Sequence, residues 1–185
     1  MSFYTKDQIV MEHVTFGDFT YGAPRIFYPD ADATLTVGRY CSMAHEVSFY
    51  LKMDHRPDWI TTYPFSGIPN IYPEVARVPG HPYTKGPIVV GNDVWIAAQV
   101  IVTSGVTIGD GAIILQGAVV TEDVPPFAIV AGNPAQVVRL RATPDQIAAM
   151  LRIRWWDWPD HVVRRRLPDL CTGDFAGFIE AYDQG

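Results

Sequence analysis

Five histidines, at positions 13, 45, 55, 81 and 161, and two cysteines, Cys41 and Cys171, are the side chains of this sequence most suited to moving a proton or attacking a carbonyl. Histidine is the natural base near neutral pH, because its ordinary pKa of about 6.5 leaves a usable neutral fraction. His55 stands in the richest setting. It lies in KMDHRPDWITTYPF, residues 52–65, where polar, aromatic and turn-forming residues interrupt two apolar, strand-like regions. Read on these residues alone, His55 is either an exposed loop residue or a general base. His13, His45 and His161 lack a comparable context; His81, in GHPYTKG, is the strongest competitor and reads as a turn residue. A cysteine nucleophile needs a base beside it. Cys41 occupies a small inward position of VGRYCS and is read as a buried structural thiol.

The elements that must hold such a loop come from a repeat of six. From Val90 the chain reads VGNDVW, IAAQVI, VTSGVT, IGDGAI, ILQGAV and VTEDVP. First positions (Val90, Ile96, Val102, Ile108, Ile114, Val120) are β-branched, and fifth positions (Val94, Val100, Val106, Ala112, Ala118, Val124) are small or medium and apolar. A period of six fits neither a simple amphipathic strand nor a helix. It fits a three-sided parallel β-helix, in which each segment makes one face and a corner and three segments make one coil. Stacking is required because one coil cannot bury its own interior. Weaker copies occur in ADATLT, VGRYCS and MAHEVS, with Ala31, Val37 and Met43 first, and in FGDFTY from Phe16. Val37 and Val90 are 53 positions apart, not a multiple of six, so an insertion breaks the phase. That insertion is an excursion loop at about 50–86, rich in proline, glycine and aromatics. Ordered excursions of this length are often functional.

After the repeats, Thr143-Pro144-Asp145-Gln146 reads as a capped helix start. Helices are expected near 144–153, 159–167 and 174–182, packed by Trp155, Trp156 and Trp158. The predicted organisation is a β-helix domain at 1–142 with its excursion, and a helical tail at 143–185 packed on the same domain. The run Arg164, Arg165 and Arg166 is read as a solvated helix face. A formal charge of −6 argues against broad nucleic-acid binding. No apolar run approaches the ~20 residues of a membrane span. The opening MSFYTKDQIVMEH does not read as a signal peptide, so a cytoplasmic protein with reduced thiols is expected.

Together the motifs FGDFTYGAP (16–24), VGRYCSMAHEVSF (37–49), DHRPDWITTYPF (54–65), GNDVWI (91–96), GVTIGDGAIILQGAVVTEDVPPFAIVAGNPAQVVR (105–139) and WWDWP (155–159) resemble the hexapeptide-repeat acyltransferases. The resemblance is strongest to their xenobiotic acetyltransferase branch, which includes chloramphenicol and streptogramin A (virginiamycin) acetyltransferases. It implies a mainly β fold, a left-handed parallel β-helix, against the usual right-handed crossover rule. It also implies a homotrimer with active sites between subunits and acetyl-CoA as donor, with no metal.

Carried over residue by residue, the resemblance makes His55 the general base for direct transfer to a hydroxyl. It points to Trp95, Ala98, Gln116, Thr121 and Arg139, with Arg141 a further candidate, for acetyl-CoA. Tyr21 stands on the acceptor side, with Asp18, Trp59 and Tyr63, where aromatics suit an apolar antibiotic or a sugar. Two departures stand out: relatives carry Asn before this histidine where Asp54 stands, and Gly where Ala97 stands. The competing readings are a zinc hydratase like the γ-type carbonic anhydrases and a noncatalytic trimeric scaffold. The first resembles a site of three zinc-binding histidines, and residues 90–138 contain no histidine.

Overall fold

A computed structural model describes residues 3–184, so residues 1, 2 and 185 of the two predicted regions lie outside the described residues. The first-position residues decide the architecture. Val90, Ile96, Val102, Ile108, Ile114 and Val120 are all essentially inaccessible to solvent, and so are the fifth-position residues between them. Burying two positions of every six requires the chain to turn a corner after each short strand, and it does.

Three sheets result. The first holds β1 (Val14–Phe16), β3 (Leu35–Val37), β6 (Ile88–Val90) and β9 (Thr107–Ile108). The second holds β4 (Ser42–Met43), β7 (Trp95–Ile96), β10 (Ile113–Ile114), β12 (Ala128–Ala131) and β13 (Gln136–Leu140). The third holds β2 (Arg25–Phe27), β5 (Ser48–Tyr50), β8 (Ile101–Thr103) and β11 (Val119–Val120). From β3 to β11 the chain visits the three sheets in strict rotation, and all the pairings are parallel except β12 with β13. Between β6 and β9 the register step is 18 positions, as Val90 pairs with Ile108.

The broken phase closes across the insertion. Val37 pairs with Val90, Met43 with Ile96 and Phe49 with Val102. A complete coil therefore stacks on its neighbour with residues 51–87 looped out between β5 and β6. One upstream expectation fails: Ala31 is exposed, because residues 30–33 form a tight turn closed by an Asp30–Ala33 bridge, and Ala33 and Leu35 fill the core instead. The corner after the first sheet is a column of glycines. A Cβ on Gly17 would lie 2.6 Å from the Gly38 carbonyl, and one on Gly38 would lie 2.5 Å from the Gly91 oxygen.

A short helix, α1 (Thr5–Gln8), precedes the coils, and three helices follow β13 to form the tail: α2 (Pro144–Ile153), α3 (Asp160–Leu170) and α4 (Phe175–Tyr182). Thr143 caps α2 as expected: its hydroxyl accepts from the Gln146 N–H, and the Gln146 side chain accepts from the Thr143 N–H. The α3 helix runs through Pro168, past the predicted end, because Cys171 N–H still reaches the Leu167 carbonyl at 2.9 Å. Trp156 is fully buried against Phe127, Met150 and Phe178, which joins tail to coil in a second apolar core. No helix of the described residues is long and apolar enough to cross a membrane.

Candidate active site

The excursion is held at both ends where it meets the third and first sheets. Asp54 and Tyr83 pair antiparallel through N–H···O bonds of 3.0 and 2.8 Å. The Ser104 hydroxyl, buried at the adjoining corner, donates to the Asp54 carboxylate at 2.9 Å and accepts from the Lys85 N–H at 3.1 Å. Asp54 thus clamps the loop to the coil immediately before His55, and it does so through an acceptor oxygen that asparagine also has. Asp54→Asn is expected to keep turnover within about threefold, whereas Asp54→Ala, which leaves Ser104 without its acceptor, is expected to lower kcat about tenfold. Steady-state rates, with limited proteolysis at 55–80 as a readout of loop opening, check both.

The His55 ring is exposed, and its Nδ1 lies 2.7 Å from the Thr62 carbonyl. A carbonyl only accepts, so the proton is assigned to Nδ1 and the Nε2 lone pair is left outside this bond. Around it the loop is folded on its own aromatics. The His81 ring meets the His55 ring edge-on at 5.5 Å, and Trp59 meets His81 at 4.9 Å. Arg56 pairs with Asp58 and lies over the Tyr83 ring at 4.9 Å. Tyr63 packs at 4.6 Å on Phe65 and edge-on to Tyr72. The structure therefore gathers His55, Trp59 and Tyr63 in one loop. It also places His81 there, a residue the sequence reading set aside; the shared excursion was the signal for it.

The remaining predicted residues sit elsewhere. Tyr21 bridges to Ser42, and Ser42 pairs with Trp95, so Tyr21 and Trp95 lie on one outward face of the second sheet. Both are substantially exposed, and Tyr21 stacks on Phe3 at 4.9 Å. Ala97 and Ala98 are buried at the following corner, where the Ala98 carbonyl accepts from Gly117 N–H, beside Gln116, one coil further on. Arg139 pairs in register with Ile129 on the outermost strand of this sheet and is exposed. Arg141 is committed elsewhere: it donates to the Gly111 carbonyl at 2.6 Å, pairs with Asp93 and covers Phe127. Asp18 is bound to Lys6, whose ammonium holds the Asp18 carboxyl below its ordinary range. Thr121 follows β11 and so shares a corner with the excursion rather than with Trp95. Within one chain the loop rises where the third sheet hands over to the first, while Tyr21 and Trp95 face outward from the second.

A cavity of about 320 Å³ between coil and tail, lined by Tyr40, Phe127, Arg141, Trp155 and Phe175 among others, contains none of the predicted site residues except the candidate Arg141. Among the described residues no three His, Cys, Asp or Glu side chains are grouped to hold a metal. Cys41 is fully buried, and burial pushes its thiol up to about 12. Iodoacetamide at pH 8 is therefore expected to label the exposed Cys171 and spare Cys41, with turnover unchanged, as peptide mass spectrometry of the folded protein would show.

Comparison with known proteins bears on this arrangement. Residues 87–122 match the family described as bacterial transferase hexapeptide (six repeats). A chloramphenicol acetyltransferase of Agrobacterium fabrum is 39% identical over 155 residues, 82% of this chain and 74% of the relative. A probable macrolide acetyltransferase of Lysinibacillus sphaericus is 40% identical over 129 residues, 67% and 69% of the two chains. Among solved structures, a hexapeptide-repeat containing acetyltransferase from Vibrio cholerae superposes with a TM-score of 0.53 at 25% identity, over 71% of this chain and 65% of that one. The repeats that build the coils and the long alignment that runs beyond them agree: the chain belongs to the hexapeptide-repeat acyltransferases, in their xenobiotic acetyltransferase branch.

Proposed function

We propose that this chain transfers the acetyl group of acetyl-CoA to a hydroxyl of a small molecule, an antibiotic such as streptogramin A or chloramphenicol, or a sugar, with His55 as the general base. The observation that carries this is the 2.7 Å contact of His55 Nδ1 with the Thr62 carbonyl, which leaves the Nε2 lone pair outside that bond and supports its use as the base. In the proposed step Nε2 takes the hydroxyl proton as the oxygen attacks the thioester carbonyl. The tetrahedral adduct collapses to the acetyl ester, and Nε2–H returns the proton to the departing CoA sulfur. No covalent enzyme intermediate is needed, in keeping with a buried, unreactive Cys41.

The coil is proposed to be a left-handed parallel β-helix at 1–142, with the tail at 143–185 as part of the same domain. The rotation among three sheets and the shared Phe127–Trp156 core support this. The site is proposed to form between subunits of a homotrimer. The loop and the Tyr21–Trp95 face belong to different sides of one chain, so a second copy would bring one chain's His55 to the other's groove. On this reading Trp95, Ala98, Gln116, Thr121 and Arg139 take the donor, with the exposed Arg139 guanidinium meeting phosphate, and Tyr21, Asp18, Trp59 and Tyr63 take the acceptor. A cytoplasmic location is proposed with it, supported by the donor and by the free Cys41 and Cys171 thiols.

The test is a screen of hydroxylated antibiotics and sugars with acetyl-CoA, read by thiol release and by a mass gain on the acceptor. A product acetylated on nitrogen, or donor consumption without any acetylated acceptor, would overturn the reading.

A further inference from the structure

The structure assigns a second histidine to this machinery: we propose that His81 is a positioning residue for His55, holding it through the main-chain N–H of Arg56. The proposal rests on the reading of His55 as the base. His81 Nε2 accepts the Arg56 N–H at 3.2 Å. That N–H belongs to the planar peptide unit joining His55 to Arg56, so the bond sets how the His55 backbone is turned. The edge-on contact between the two imidazoles, 5.5 Å with planes at 88°, restrains the His55 ring itself, and the Thr62 carbonyl holds its Nδ1.

His81 is in turn seated by Trp59, at 4.9 Å and 82°. Trp59 packs against Gly80, where φ is +145° and a Cβ would stand 2.6 Å from the indole. Because Nε2 accepts, the proton of neutral His81 is assigned to Nδ1, which is buried without a hydrogen-bond partner among the described residues. Leaving a buried donor unpaired is costly.

Only neutral His81 can accept the Arg56 N–H. The charged or titratable groups facing it are His55, Arg56 with its partner Asp58, and Tyr83 beneath the Arg56 guanidinium. Burial first, then the positive charges of His55 and Arg56, hold the His81 pKa below the ordinary histidine value. The anchoring bond is therefore intact through and above the ordinary histidine range and is lost as pH falls below it. Activity then requires two neutral imidazoles, one to take the proton and one to hold the first in place.

The test uses the full chain with acetyl-CoA and whichever of streptogramin A, chloramphenicol or a sugar the screen returns. In the wild type the acid limb of log kcat/KM against pH is expected to steepen below the ordinary histidine range, from a slope of about one toward two. His81→Asn, too short to reach Arg56, should lower kcat about 10- to 100-fold with the acetyl-CoA KM within about twofold, and hold that slope at about one throughout. His81→Gln, which returns an acceptor near the Nε2 position, should recover kcat to within about threefold of the wild type, with the slope again about one. Nitrogen NMR of the His55 ring supplies a readout that needs no acceptor: a single Nδ1–H tautomer in the wild type and a mixture in His81→Asn. Gly80→Ala leaves both imidazoles in the sequence but pushes on Trp59, and should lower kcat in the same direction. Wild-type rate, slope and tautomer in His81→Asn would overturn the role of His81 while His55→Ala remained inactive. Near-normal turnover in His55→Ala would overturn the base, and the His81 role with it.

Discussion

His55→Ala is expected to lower kcat/KM about 10²- to 10⁴-fold, the range that loss of a positioned general base produces. At about 1.4 kcal/mol for each tenfold, this is roughly 3 to 5 kcal/mol of transition-state stabilisation. Folding should barely change, because the ring is exposed and its hydrogen bond to Thr62 runs to a main-chain carbonyl within its own loop. Acetyl-CoA affinity should also hold, since Trp95, Ala98 and Arg139, proposed to take the donor, lie on another side of the coil. His55→Asn is the sharper variant: its side-chain amide keeps a donor near the position of Nδ1 and so the bond to Thr62, yet supplies no base. If His55→Asn is as inactive as His55→Ala while acetyl-CoA binding by calorimetry is unchanged, proton transfer rather than loop structure is what was lost. Equal turnover in the wild type and His55→Asn would remove His55 from the reaction.

The second large effect is on folding. Gly38→Ala is expected to destabilise the protein by about 3 kcal/mol, at the upper end of the usual range for overpacking. The new Cβ would meet the Gly91 carbonyl oxygen at 2.5 Å and the Asn92 Oδ1 at 2.6 Å, in the middle of the corner column. Neither neighbour can retreat: the Gly91 N–H is bonded to the Ile108 carbonyl, and Asn92 is fixed by two bonds to Asp110 Oδ1, of 2.7 and 2.8 Å. For a chain of this size the loss corresponds to a fall in Tm of roughly 6 to 12 °C. Gly117→Ala is the comparison. There φ is +72° but nothing lies within 4 Å of the added carbon, so only backbone strain of about 1 to 2 kcal/mol is expected. Thermal melts of the two variants side by side check the contrast, and a milder effect at Gly38 than at Gly117 would contradict the packing of this corner.

These two substitutions also separate what could be read along the chain from what could not. The sequence by itself determined the interior of the coils, because a residue's direction in a short strand is a local property. A β-branched residue every six positions therefore marks the inward face without knowledge of any neighbour. It also determined the Thr143 cap and the existence of the excursion, which a phase break of 53 positions requires. Ala31 shows where that local logic stops: its copy of the repeat was weak, and a turn at Asp30–Ala33 overrode it.

Only the tertiary structure decided the rest. Val37 finds Val90, and Gly38 finds Gly91, because a coil stacks on the next one after the loop has left and returned, and no local periodicity encodes that meeting. The Thr62 carbonyl on His55, Ser104 on Asp54 and His81 beside His55 join residues 7, 50 and 26 positions apart. A loop has no repeating period, so its side-chain partners are set by how it closes on itself and on the coil. The histidine was legible in the sequence, but the orientation on which its proposed role as a base rests arises only when the loop closes.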